Sequence, residues 1–181
     1  MMARPFSRTG EGAAVAKDVR MRVVVLGVGN ILMSDEGVGV HAVEALARDF
    51  HLPDEIEVID GGTSGMDCLD RIADADLLLI ADCVRRPETA PGTMVRMADD
   101  EINAWFRTRI SPHQVGLSDV LAACAFQGIA PKRVVLVGMQ PASFDTSMEL
   151  TPAIAARLPA LVGKLATELA DFGVNVAPRA S

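Results

Sequence analysis

The chain has 181 residues, 50% of them hydrophobic, enough for one buried core with little left for a second folding unit. With 17 Lys and Arg against 24 Asp and Glu, the net charge is −7, which excludes a surface built to neutralise nucleic-acid phosphates. Cys68, Cys83 and Cys124 are too few for a disulfide framework, and no apolar run nears the roughly 18 residues that span a bilayer, so a soluble cytoplasmic protein without membrane insertion is expected.

Residues 1–20 mix Arg4, Pro5, Arg8, Gly10 and Gly12 without apolar periodicity; they read as a disordered tail lacking a signal-peptide core, with the single domain over 21–181. Val23, Val24, Val25 and Leu26 then run into Gly27, the pattern of a strand buried on both faces. Val40, Val43, Ala47 and Phe50 recur at helical spacing, and Pro53 closes that helix before a second strand at 56–59. A helix near 66–73 precedes a third strand, Leu77, Leu78, Leu79 and Ile80, and residues 92–97 form a less apolar one. A helix over 117–125 leads to a strand at 134–137 ending in Gly138. Thr151 and Pro152 supply a cap and a first helical turn; Leu158, Leu161, Leu165 and Leu169 then make a core-facing row, with Pro159 bending or restarting the helix and Gly173 ending it. Doubly apolar strands alternating with helices predict a three-layer α/β/α sandwich around a largely parallel sheet.

In such a sheet, functional groups gather where the parallel strands end. The loop after the first strand holds Gly27 and Gly29, but a dinucleotide fingerprint needs glycine where this chain has Leu32, and Asp35 and Glu36 would repel a pyrophosphate at the helix start. Gly62-Thr63-Ser64-Gly65-Met66 likewise misses the nucleophile elbow at its last position. His41 and His51 read as solvated or helix-end residues, whereas His113 sits in a polar turn, 110–114, ahead of the helical stretch. Taken singly, Glu36 suits a helix dipole, Asp82 a helix cap and His113 a surface or capping role. Together they lie at the ends of separate elements, and two carboxylates and an imidazole brought to one sheet edge would make a three-ligand site open to water or substrate.

The stretch Leu26-Gly27-Val28-Gly29-Asn30-Ile31-Leu32 running into Asp35-Glu36-Gly37-Val38-Gly39-Val40 resembles the nickel-iron hydrogenase maturation endopeptidases. So do Ile59-Asp60-Gly61-Gly62-Thr63, Ile80-Ala81-Asp82, Ala90-Pro91-Gly92-Thr93, Ser111-Pro112-His113-Gln114 and Val137-Gly138, in that order. The resemblance covers nearly everything from residue 21 to about 179 and implies a five-stranded, mostly parallel sheet with one antiparallel strand. It also implies catalytic metal ligands at Glu36, Asp82 and His113, with nickel the ion, delivered with the substrate, and zinc or cadmium able to occupy the same site. The substrate implied is a hydrogenase large-subunit precursor whose carboxyl-terminal extension is removed once nickel is in place, by a monomer needing no serine or cysteine nucleophile. Asp60, Gly61, Gly62 and Thr63 would form a cleft wall that lets substrate backbone approach, or simply a tight turn. A non-cleaving checkpoint that binds the loaded precursor is the alternative function.

Overall fold

The computed structural model describes residues 21–63, 65–108 and 112–179, with the side chains of 106–108 and 112–115 excepted. The expected tail, 1–20, lies outside the described residues. In chain order the elements are β1 (Val23–Val28), a 3-10 turn (Ser34–Gly37), α1 (Val38–Asp49), β2 (Phe50–His51), β3 (Ile56–Gly62), a second 3-10 turn (Met66–Cys68) and α2 (Leu69–Ile72). There follow β4 (Leu77–Cys83), β5 (Met94–Ala98), α3 (Asp100–Thr108), α4 (Pro112–Gln127), β6 (Val134–Met139), α5 (Pro152–Ala155), α6 (Leu158–Asp171) and β7 (Ala177–Pro178).

The five-stranded sheet has the order β3-β1-β4-β6-β5, parallel except for β5, which pairs antiparallel with β6. The chain leaves β1 for one side of the sheet and later returns to β4 on the other, so the order reverses between these two central strands. That reversal is where an open α/β sheet leaves a crevice at its carboxyl edge.

Strand pleating sorts the apolar side chains onto two faces. Val23, Val25, Leu77 and Leu79 meet α1 and α6 on one side; Val24, Leu26, Leu78 and Ile80 meet α2, α3 and α4 on the other. The expected three layers are therefore present, and Leu161, Leu165 and Leu169 are fully buried in the first cluster. Thr151 caps α5 as expected, its side chain accepting from the Ile154 amide, and Pro159 starts a separate helix rather than bending one.

The β2–β7 ribbon and α3 are not legible in the sequence, and a third element, the expected helix at 117–125, starts earlier than its pattern suggests. The β2–β7 ribbon is only two residues per strand, too short for any alternation to register. Helix α3 begins after Asp99, whose positive φ of 48° turns the chain out of β5. The third is a correction: Pro112 opens α4, so His113 belongs to the first helical turn rather than to a turn ahead of it. Proline suits that position, since its missing N–H falls where a helix makes no bond.

Edge strand β5 is fastened to α6 by an ion pair. Arg96 donates from Nε and Nη2 to the two Glu168 oxygens at 2.8 and 2.9 Å, and Lys164 Nζ lies 2.8 Å away. These cations, Arg96 first, hold the Glu168 carboxyl down to about 2. A depressed carboxyl stabilises the fold above its unfolded pKa, and that contribution disappears as pH falls from about 4.5 toward 2. Arg96 is 41% exposed, so solvent trims the pair, and Glu168→Gln is expected to cost about 1–2 kcal/mol at pH 7. Urea unfolding of both proteins at pH 7 and near pH 2 checks this: the gap must close at low pH.

Candidate active site

The crevice at the carboxyl ends of β1 and β4 collects two carboxylates. Glu36 arrives on the 3-10 turn after β1, where Ser34, Asp35, Glu36 and Gly37 are all buried. Gly29 shapes this loop: its φ is 140°, and a Cβ there would collide with the Glu36 carbonyl oxygen. Its amide also donates to the Gly62 carbonyl at 2.9 Å, tying the loop to the end of β3.

Asp35 fixes the turn from the other side. Its Oδ2 accepts from the amides of Ala142 and Ser143 at 2.8 and 3.0 Å and from Thr151 Oγ1 at 3.0 Å, while Oδ1 accepts from the Thr151 amide at 2.7 Å. Asp35 is wholly buried, so these four bonds replace its hydration. The sequence reading treated Asp35 only as a charge beside Glu36. Its partners lie more than a hundred residues away in sequence, and no local pattern announces them.

Asp82 lies in β4 opposite Gly138 of β6, one residue beyond the pairing of Gly27 with Ala81. Strand alternation puts it on the face of Leu78 and Ile80, the face covered by α4. It caps no helix: Oδ1 accepts from the Cys83 amide at 2.7 Å, and Oδ2 is buried without a hydrogen-bond partner among the described residues. Burial pushes the Asp82 carboxyl up to about 8; the Cys83 amide bond opposes this and the nearby charge of Glu36 adds to it. The buried Asp82 carboxyl thus stands near the charge of Glu36, an arrangement that a cation between them would favour.

The third expected ligand, His113, is placed by its helix. The backbones of Gly65 and Gly116 pack so closely that a Cβ on Gly65 would collide with Gly116, which seats the start of α4 against the loop following β3. The His113 side chain lies outside the described residues. Among the described residues, no three of His, Cys, Asp and Glu come together as a metal-holding group. The structure brings Glu36 close enough to Asp82 for its charge to act on that carboxyl, and Asp82 lies on the side of the sheet that carries α4. His51 is exposed as expected; His41 is only 28% exposed, with Nδ1 3.8 Å from Glu44, because α1 lies flat on the sheet.

The expected cleft wall proves to be a shaped turn. Asp60 Oδ1 accepts from the Gly62 amide at 2.9 Å, and Gly62 takes a φ of 47°. Gly61, Gly62 and Thr63 line a small pocket with Val28 and Leu117, beside the end of β1. Cys83 is buried in the opposite core cluster, and burial, then Asp82 and Glu36, push its thiol far above the ordinary range. Its burial is that of a packed thiol. Cys83→Ala is expected to retain full activity and to lose about 1 kcal/mol of stability for the small void; an activity assay with thermal melting checks both.

A family model described as hydrogenase maturation protease matches residues 40–168. The chain is 46% identical over 159 residues to the hydrogenase 2 maturation protease of Escherichia coli (strain K12), covering 88% of this chain and 97% of that one. It is 38% identical over 157 residues to the hydrogenase expression/formation protein HupD of Rhodobacter capsulatus, covering 86% and 74% respectively. The fold superposes on the hydrogenase maturating endopeptidase HybD from E. coli with a TM-score of 0.84 at 46% identity, over 88% of this chain and 98% of that one. With the NiFe hydrogenase maturation protease HybD from Thermococcus kodakarensis the TM-score is 0.69 at 26% identity, over 83% and 99%.

Proposed function

The chain belongs to the hydrogenase maturation protease family and is an endopeptidase, and on that premise we propose that it removes the carboxyl-terminal extension of a hydrogenase large-subunit precursor, reading the precursor's nickel through Glu36, Asp82 and His113. The observation that carries this reading is the buried Asp82 Oδ2, which lacks a hydrogen-bond partner among the described residues while the charge of Glu36 stands nearby. Carboxylate oxygens and an imidazole suit nickel, and zinc or cadmium as substitutes.

On this reading the Asp82 carboxyl, pushed up to about 8 by burial, holds a proton in the empty protein and releases it when the cargo arrives, so metal loading and docking are one event. Held by these residues, the ion would position the scissile bond or supply Lewis acidity to its carbonyl. Asp35 keeps Glu36 in place, the Cys83 amide orients Asp82, and the turn held by Asp60, with Gly61, Gly62 and Thr63, gives substrate backbone a close seat. On the same reading the peptidase domain, from residue 21 onward, works as a cytoplasmic monomer. Among the described residues no helix is long and apolar enough to cross a membrane.

Mixing the protein with nickel-loaded and nickel-free precursor tests the proposal by mass spectrometry. A mass loss in the loaded sample alone supports it; equal cleavage of both removes nickel as the signal. Complex formation at unchanged mass would favour the non-cleaving checkpoint. His113→Ala must bind the loaded precursor more weakly and leave it uncut, and normal turnover by this variant would remove His113 from the ligand set.

A further inference from the structure

Four residues past Asp82 the chain presents an arginine with an unusual setting. Arg22, Arg48, Arg71, Arg96 and Arg133 each lie within ion-pair distance of a carboxylate. Arg86 has no such partner among the described residues. Its guanidinium instead lies 5.1 Å from the ring centroid of Trp105 in α3, and its Nε is buried without a hydrogen-bond partner among the described residues. A stacked guanidinium keeps its edge available for a planar anion.

The backbone of Arg86 is held as firmly as the side chain. Its amide donates to Gln140 Oε1, and its carbonyl accepts from the Thr89 amide at 2.9 Å and Thr89 Oγ1 at 2.8 Å. Gln140 also donates from Nε2 to the Pro141 carbonyl at 3.3 Å, and the next two residues, Ala142 and Ser143, are those that grip Asp35. One short segment after β6 therefore fixes Arg86 on one side and the Glu36 turn on the other. Trp105 packs on the α4 face of the sheet, the face to which alternation assigns Asp82. A protein with net charge −7 thus holds a preorganised cation without a carboxylate partner among the described residues, four residues from Asp82 and tied through one segment to the Glu36 turn.

We propose that the Nη edge of Arg86, stacked on Trp105, is a subsite for a carboxylate of the precursor close to the cleaved bond, an inference that rests on the peptidase reading above. The carboxylate can come from an acidic side chain or from the terminal carboxyl of the extension. Either would form a two-point contact with a group whose position is set before binding, so little ordering entropy is lost.

The test is a double-mutant cycle on the nickel-loaded precursor. Arg86→Gln should raise KM about tenfold or more with kcat little changed, the size expected for losing a charge-assisted contact. Arg86→Lys should recover part of the loss, since lysine restores charge without the fork. Precursors with the terminal carboxyl amidated, and others with each acidic residue of the extension made neutral, separate the two sources. The correct neutralisation weakens the natural protein as much as Arg86→Gln does and adds nothing further to that variant. Unchanged KM in Arg86→Gln, or fully additive effects with every neutralised precursor, overturns the subsite. If the natural protein cuts no loaded precursor, the peptidase reading has failed instead. The same cycle is then run on complex dissociation constants, with the same additivity deciding the subsite.

Discussion

Asp82→Asn is expected to leave a folded protein that cuts nickel-loaded precursor about a thousandfold more slowly or not at all, the scale of removing an essential charged group at a reacting centre. The amide keeps the shape and the bond from the Cys83 N–H, so the core on the face it shares with Leu78 and Ile80 is undisturbed. What is lost is the anionic oxygen that a cation needs. Stability should move the other way. The folded carboxyl is pushed up to about 8 whereas the unfolded one titrates near 3.8, so metal-free protein binds the extra proton when folded and loses stability as pH climbs between those values. Asparagine carries no proton to lose, so the variant should equal the natural protein near pH 4 and exceed it at pH 8. Thermal melts across that range, beside a cleavage assay, check both halves. Normal turnover, or a variant less stable at pH 8, would show that Asp82 is an ordinary structural acid.

Asp35→Ala is expected to cost about 3–5 kcal/mol and most of the activity. The four donors that Asp35 satisfies, on Ala142, Ser143 and Thr151, would be left facing a void. The same bonds hold the Glu36 turn against the chain after β6, so the residue that meets Asp82 loses its support. Asp35→Asn offers the second measurement, because it retains the shape but places an NH2 among donors and should fall between the two. A chemical-denaturation series with all three proteins checks the order. If Asp35→Ala melts within a degree or two of the natural protein, the clamp carries little of the fold's stability.

The difference between Asp35 and Glu36 shows what a sequence can disclose. Both were visible as acids after the first strand. Glu36 could be given a role because its chemistry needs only an expected place at the carboxyl edge of a parallel sheet. The role of Asp35 depends on Ala142 and Thr151, partners reached only after four sheet strands have been laid down in between. His113 illustrates the same limit at shorter range: the sequence places it in a polar turn, and only the observed helix puts it in the first turn of α4.

Strand and helix identity were written in local chemistry, since runs such as Leu77 to Ile80 can be buried on both faces only between two helical layers. The placement of Glu36 and Asp82 at the carboxyl edge of the sheet was legible for the same reason, because parallel strand ends are where such loops gather, whereas their pairing with His113 as a ligand set rests on the family resemblance. Folding decided the strand order that reverses between β1 and β4, the pleat that turns Asp82 to the α4 side and Cys83 away, and the stacking of Arg86 on Trp105. Those outcomes depend on which distant surfaces bury one another, a property of the whole chain that no window of neighbouring residues contains.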